Sequence, residues 1–80
     1  MECKVHFVVK RRWFDDIASI HKRIEYRLNT PYWRTRLLGK EGCLAVFHRG
    51  YSATTLTFRI LAIVQTTTMI LVYLGDKIDE

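Results

Sequence analysis

An 80-residue chain that is 49% hydrophobic and 26% charged is long enough for one domain with a thin core and too short for two. Two Trp, four Tyr and four Phe exclude a disordered polymer, and a net charge of +5 points to nucleic acid, an acidic protein or an anionic surface as a partner. The charge is uneven: residues 1–40 carry ten Lys/Arg against four Asp/Glu, and residues 41–80 carry three against four.

The first predicted element is a strand over Glu2–Val9, where Cys3, Val5, Phe7 and Val9 alternate with Lys4, His6 and Val8. Trp13, Ile17, Ile20, Ile24 and Leu28 then recur every three or four residues, the stripe of an amphipathic helix widened by Phe14. Its aromatics are assigned to core packing rather than to a base-stacking platform, and the adjacent Asp15 and Asp16 to complementing the dipole of its first turn. Asn29-Thr30-Pro31 interrupts that helix, since Pro31 disfavours helical backbone at Thr30 while Thr30 caps a new helix. The second helix is predicted from Pro31 to about Leu38, with Gly39 as its left-handed stop. Strands follow at Cys43–Arg49, Thr55–Val64 and Thr68–Leu74, joined by short turns that favour antiparallel neighbours. In strand Thr55–Val64, alternation puts Leu56, Phe58, Ile60, Ala62 and Val64 on one face and Thr57, Arg59, Leu61 and Ile63 on the other. The expected fold is therefore a single α+β domain over 1–80 in the order β-α-α-β-β-β, with two N-terminal helices packed on a small antiparallel sheet. Glu2–Val9 and Thr68–Leu74 are the expected sheet edges, open to a homodimer or a partner's added strand.

Leu56–Leu74 is long and apolar enough to raise a membrane span, but Arg59 and the polar cluster Gln65–Thr68 favour two strands divided by a turn, so no membrane partner is expected. Two cysteines and no apolar leader favour reduced thiols in a cytoplasmic protein. Neither Cys3 and His6 nor Cys43 and His48 share a strand face, so no metal or other cofactor is expected. No nucleophile elbow or phosphate-cradling glycine loop occurs.

Metal-independent RNA cleavage by the 2′-hydroxyl needs only a base, an acid and cations around the phosphorane. His48, Arg49, Tyr51, Arg59, Tyr73 and Lys77 are the candidates for those roles. Arg59 is the most informative, because a charge inside an apolar strand must be exposed or paired, with Asp76 or Asp79 as the obvious partner. Phe58-Arg59-Ile60, the run Ile70–Leu74 followed by Gly75 and Lys77, and the basic end of the preceding strand at His48 and Arg49 resemble the RelE/HigB/ParE toxin superfamily. The likeness spans nearly the whole chain by element order, but the sequence departs from it in ending Ile78-Asp79-Glu80 where nuclease members carry a Tyr or His.

That resemblance implies a ribosome-dependent endoribonuclease cutting messenger RNA and silenced by an antitoxin. Arg59 and Lys77 would stabilise the phosphorane, His48 or Arg49 would engage the scissile phosphate or 2′-hydroxyl, and Tyr73 would assist. Ribosomal RNA would be held by Lys10, Arg11, Arg12, Lys22, Arg23, Arg27, Arg34, Arg36 and Lys40. The alternative on the same fold is a noncatalytic inhibitor that binds a host protein, in the manner of gyrase-directed members or of a viral anti-host factor.

Overall fold

In the computed structural model, which describes residues 3–19 and 22–78, seven elements follow one another. They are β1 (Lys4–Val9), α1 (Arg11–Ala18), β2 (Ile24–Leu28), α2 (Pro31–Leu37), β3 (Leu44–Arg49), β4 (Thr55–Gln65) and β5 (Met69–Ile78). The order β-α-β-α-β-β-β replaces the expected β-α-α-β-β-β. Two short helices serve one curled five-stranded mixed sheet, in the order β1-β3-β4-β5-β2. β1 runs parallel to β3, and every other pairing is antiparallel.

The expectation failed at Ile24–Leu28, read as the end of a long helix. Residues four apart lie on one side of a strand as well as of a helix, so Ile24 and Leu28 fit both periods. Ile24-Glu25-Tyr26-Arg27-Leu28 is also β-branched and aromatic, and it pairs with β5 from Ile24↔Tyr73 to Leu28↔Met69. α1 stops earlier, at Ala18, where Ser19 N–H donates to Asp15 O and Ser19 Oγ to Asp16 O. Asp15 and Asp16 therefore lie in the body of α1, with no acid in its first turn. β2 takes the sheet edge that had been expected of Thr68–Leu74, leaving β5 paired on both sides.

α2 begins as its sequence dictates: the Thr30 side chain accepts from Trp33 N–H, and Pro31 occupies the first helical turn. Gly39, just beyond its end, has φ +81°. β1 alternates strictly, burying Val5, Phe7 and Val9, whereas β3 is an interior strand and buries Leu44 through Phe47 on both faces. Phe14 and Ile17 of α1 and Leu37 of α2 close the helix-bearing face over Phe7, Phe47, Phe58, Ile60, Ile70 and Val72. Large apolar side chains buried in this way contribute about 1.5–3 kcal/mol each.

Two irregularities mark the β4–β5 pair. Register shifts on either side of Ile60 break the β4–β5 ladder, so that Ile63 lies opposite the buried Val72 and packs against the core. The alternation read from sequence holds through Ile60 and inverts beyond it. A Cβ on Gly75 would fall 2.7 Å from Leu61 Cδ2, so the β5 strand needs a glycine beneath that side chain. Cys3 and Cys43 are joined in a disulfide across the start of the parallel β1–β3 pair, in place of the expected free thiols. Among the described residues, no helix is long and apolar enough to cross a membrane.

Candidate nucleic-acid interface

The five residues expected to act on the phosphodiester do not assemble. Arg59 lies beside Leu44 and His48 beside Thr55, which separates them by roughly 13 Å along the strands at about 3.3 Å per residue. Lys77 pairs with Phe58 and therefore belongs to the opposite side of the sheet from Arg59. Tyr73 sits between Ala62 and Ile24, on the face away from the helices. Arg59 is half-buried and donates from Nη1 to Gly42 O at 2.8 Å, fastening the turn before β3. The Asp79 alternative lies outside the described residues.

Arg49 is also engaged structurally. Its Nε and Nη2 donate to Asp15 Oδ1 and Oδ2 at 3.1 and 3.3 Å, tying α1 to the end of β3. The hydrogen bond from Arg49, aided by its charge, holds the Asp15 carboxyl below the ordinary aspartate value of 3.8 and raises the guanidinium in turn. A depressed folded pKa stabilises the fold above the unfolded pKa, and that contribution is lost as pH falls through the folded value. Asp15→Asn should therefore be slightly less stable than wild type at neutral pH. The gap should vanish in melts carried below the ordinary aspartate range, and a gap that persists in acid would show that the pair is not its cause. Because the pair is solvent-exposed, the effect should be small and sensitive to salt.

Several basic residues of the first half line two surfaces. One is a groove of about 410 Å³ between the free edge of β1 and α2, lined by Lys4, Val5, His6, Tyr32, Thr35, Arg36 and Lys40. Three permanent cations and two hydroxyls line it, with no carboxylate among the described residues. Arg36 is set in place by stacking 3.5 Å over the Tyr32 ring and by donating to Tyr32 O. At the groove wall, His6 Nδ1 and His48 Nε2 are 3.0 Å apart in a hydrogen bond. Parallel pairing produces this contact: a register that places Lys4 beside Leu44 and Val8 beside His48 sets the two histidines diagonally across adjacent strands.

The second surface lies at the other end of β1. Arg27 stacks over Phe7 and Trp33 and, with Lys22, neutralises the buried Glu25 at 2.8 and 3.3 Å. Trp13, with Arg12 and Lys22 near its ring, is exposed, contrary to its assignment to the core. Lys10 is exposed, Arg11 runs beside Gly50, Arg23 donates to Gly75 O, and Arg34 is spent on Asn29.

No family model and no curated protein matches this chain. The element order that carried the likeness to RelE, HigB and ParE is not the order found. Sequence reading missed Lys4, His6, Tyr32 and the exposed Trp13 and Tyr26. The available signal was the recurrence of Cys-x-x-His at Cys3 and Cys-x-x-x-x-His at Cys43, which parallel strands bring side by side.

Proposed function

We propose that the chain binds RNA through its phosphodiester backbone in the groove between β1 and α2. The observation that carries this reading is the lining: Lys4, Arg36 and Lys40, with the Tyr32 and Thr35 hydroxyls, and no carboxylate among the described residues. Such a surface favours a polyanion over an acidic side chain alone, because regularly spaced phosphates engage several cations at once and release their condensed counterions.

The His6–His48 bond favours catalysis at the same place as a second reading. An imidazole pair joined by a hydrogen bond offers one lone pair and one N–H. The lone pair accepts the proton of a 2′-hydroxyl, the oxygen attacks phosphorus, the P–O5′ bond breaks, and an imidazolium returns a proton to O5′. The products are a 2′,3′-cyclic phosphate and a free 5′-hydroxyl, with no metal needed.

One experiment addresses both readings. Binding of a fluorescent U-rich RNA is measured at 50 and 200 mM salt, with the bound RNA then analysed for cyclic-phosphate ends in the presence of chelator. Three neutralised phosphates imply a single-strand salt slope near −2, so affinity should fall about 20-fold over that range. A Lys4→Ala/Arg36→Ala/Lys40→Ala variant should bind weakly and with a nearly flat slope; unchanged affinity in that variant would refute the groove. RNA that is bound yet intact would discard the cleavage reading and leave the binding one.

A further inference from the structure

We infer that the ligand is a single strand whose path continues along β1 from this groove to Trp13 and Tyr26, where a base stacks. The inference rests on the RNA-binding reading above and specifies its substrate class. A second groove, of about 330 Å³, opens at the Val8–Lys10 end of β1 and is lined by both sheet edges, with Lys10, Trp13, Lys22, Tyr26 and Arg27 around it. The first groove opens at the Lys4–His6 end. β1 therefore joins the two as a track of roughly 20 Å at about 3.3 Å per residue.

Exposure separates these two rings from the other aromatics nearby. Phe7, Phe14 and Phe47 are buried, whereas Trp13 is 42% and Tyr26 50% exposed. Cations already flank them: Arg12 lies 5.3 Å from the Trp13 ring centre, and Lys22 lies 5.3 Å from that of Trp13 and 5.6 Å from that of Tyr26. At exposed sites such contacts contribute about 0.5–1 kcal/mol, while a stacked base contributes about 1–3 kcal/mol. Stacking prevails, and each displaced cation is left beside the phosphates that flank the base. Among the described residues the carboxylate lining this groove is Glu25, which is buried and held by Lys22 and Arg27 and so does not repel the strand; Asp16, in the adjoining pocket with Trp13 and Tyr26, is outnumbered there by Lys22 and Arg23.

A duplex cannot use this arrangement, because its bases are already stacked and paired within the helix. RNA and DNA single strands share the chemistry that the track reads, so the test compares both. Intrinsic tryptophan fluorescence of the full chain is followed on adding 12-residue oligo(U), oligo(dT) or a blunt RNA duplex of the same length.

Quenching by the single strands in the wild-type chain is the expected result; with affinity read from the anisotropy of a labelled strand, Trp13→Leu should lose about tenfold and Trp13→Phe, which keeps a ring without the indole signal, should hold it. Trp33, stacked against Phe7, supplies the unquenched baseline. Equal binding of oligo(dT) supports a track for either sugar, and tighter binding of oligo(U) supports one confined to RNA. Duplex bound as tightly as single strand overturns the inference. So does Trp13→Leu binding like wild type while the Lys4/Arg36/Lys40 variant fails, an outcome that leaves the groove itself standing. Binding of no oligonucleotide refutes both.

Discussion

Phe47→Ala should remove about 3–5 kcal/mol of folding free energy, the cost of losing a large aromatic from a site that cannot collapse around the hole. Phe47 is 0% exposed, stacks on Phe7 with ring centres 5.1 Å apart, and receives Phe58 edge-on at 6.1 Å. It lies on β3, between β1 and β4, so those two strands and the helices above cannot all move in to fill the space. At about 0.05–0.15 kcal/mol per residue, a domain of this length has only about 4–12 kcal/mol to lose. The variant should unfold at a much lower urea midpoint, near half the wild-type value or below. Tyr51→Ala, at a side chain that is 99% exposed, should change stability by no more than about 0.5 kcal/mol. A loss under 1 kcal/mol at Phe47 would mean that the core is not packed as described.

Breaking the Cys3–Cys43 bond is expected to have the second-largest effect. The disulfide closes a sequence separation of 40, for which the chain-entropy relation gives about 4 kcal/mol at 25 °C. It also fixes the edge strand that carries Lys4 and His6, which among the described residues pairs with β3 alone. Oxidised protein should therefore melt well above both the reduced protein and a Cys3→Ser/Cys43→Ser variant. The double variant should also lose groove affinity, because β1 is released at the end where Lys4 sits. Identical melts in the presence and absence of reductant would remove the disulfide from this account. A bond of this kind persists in oxidising surroundings, where the oxidised form is the one to compare.

Local chemistry was legible in the sequence wherever one period or one turn residue decided the outcome. Alternation fixed β1, and Thr30-Pro31 with Gly39 marked both ends of α2. β2 was misread because spacings of four serve helix and strand alike, and because its inward positions are Glu25 and Arg27 rather than apolar residues. Glu25 is tolerated inside only because Lys22 and Arg27 meet it, which is a tertiary fact. The inversion of β4 past Ile60 depends on register shifts that leave no mark in a hydrophobicity pattern.

The site was less legible than the fold. His48 was singled out, but its partner His6 becomes visible only once β1 and β3 are known to be parallel. Arg59 stood out as a charge in an apolar run, and its hydrogen bond to Gly42 O gives that charge a structural use. Arg36 and Lys40 were named for RNA binding, while Lys4, across the groove from them, was passed over as the polar half of a strand pattern.

The sheet order also constrains how the chain is made. β1 and β2 occupy opposite edges of the sheet, and their neighbours, β3 and β5, are synthesised later. A chain emerging from the ribosome must therefore carry its first two strands unpaired until residues 44–78 appear. The β3–β4–β5 meander is the part that can form from nearby residues alone; β1 must wait to close a contact across 40 residues, the slow kind of pairing. The strand bearing half of the cationic groove is thus one of the two that must wait for the meander, so a chain lacking β3 has no groove to offer.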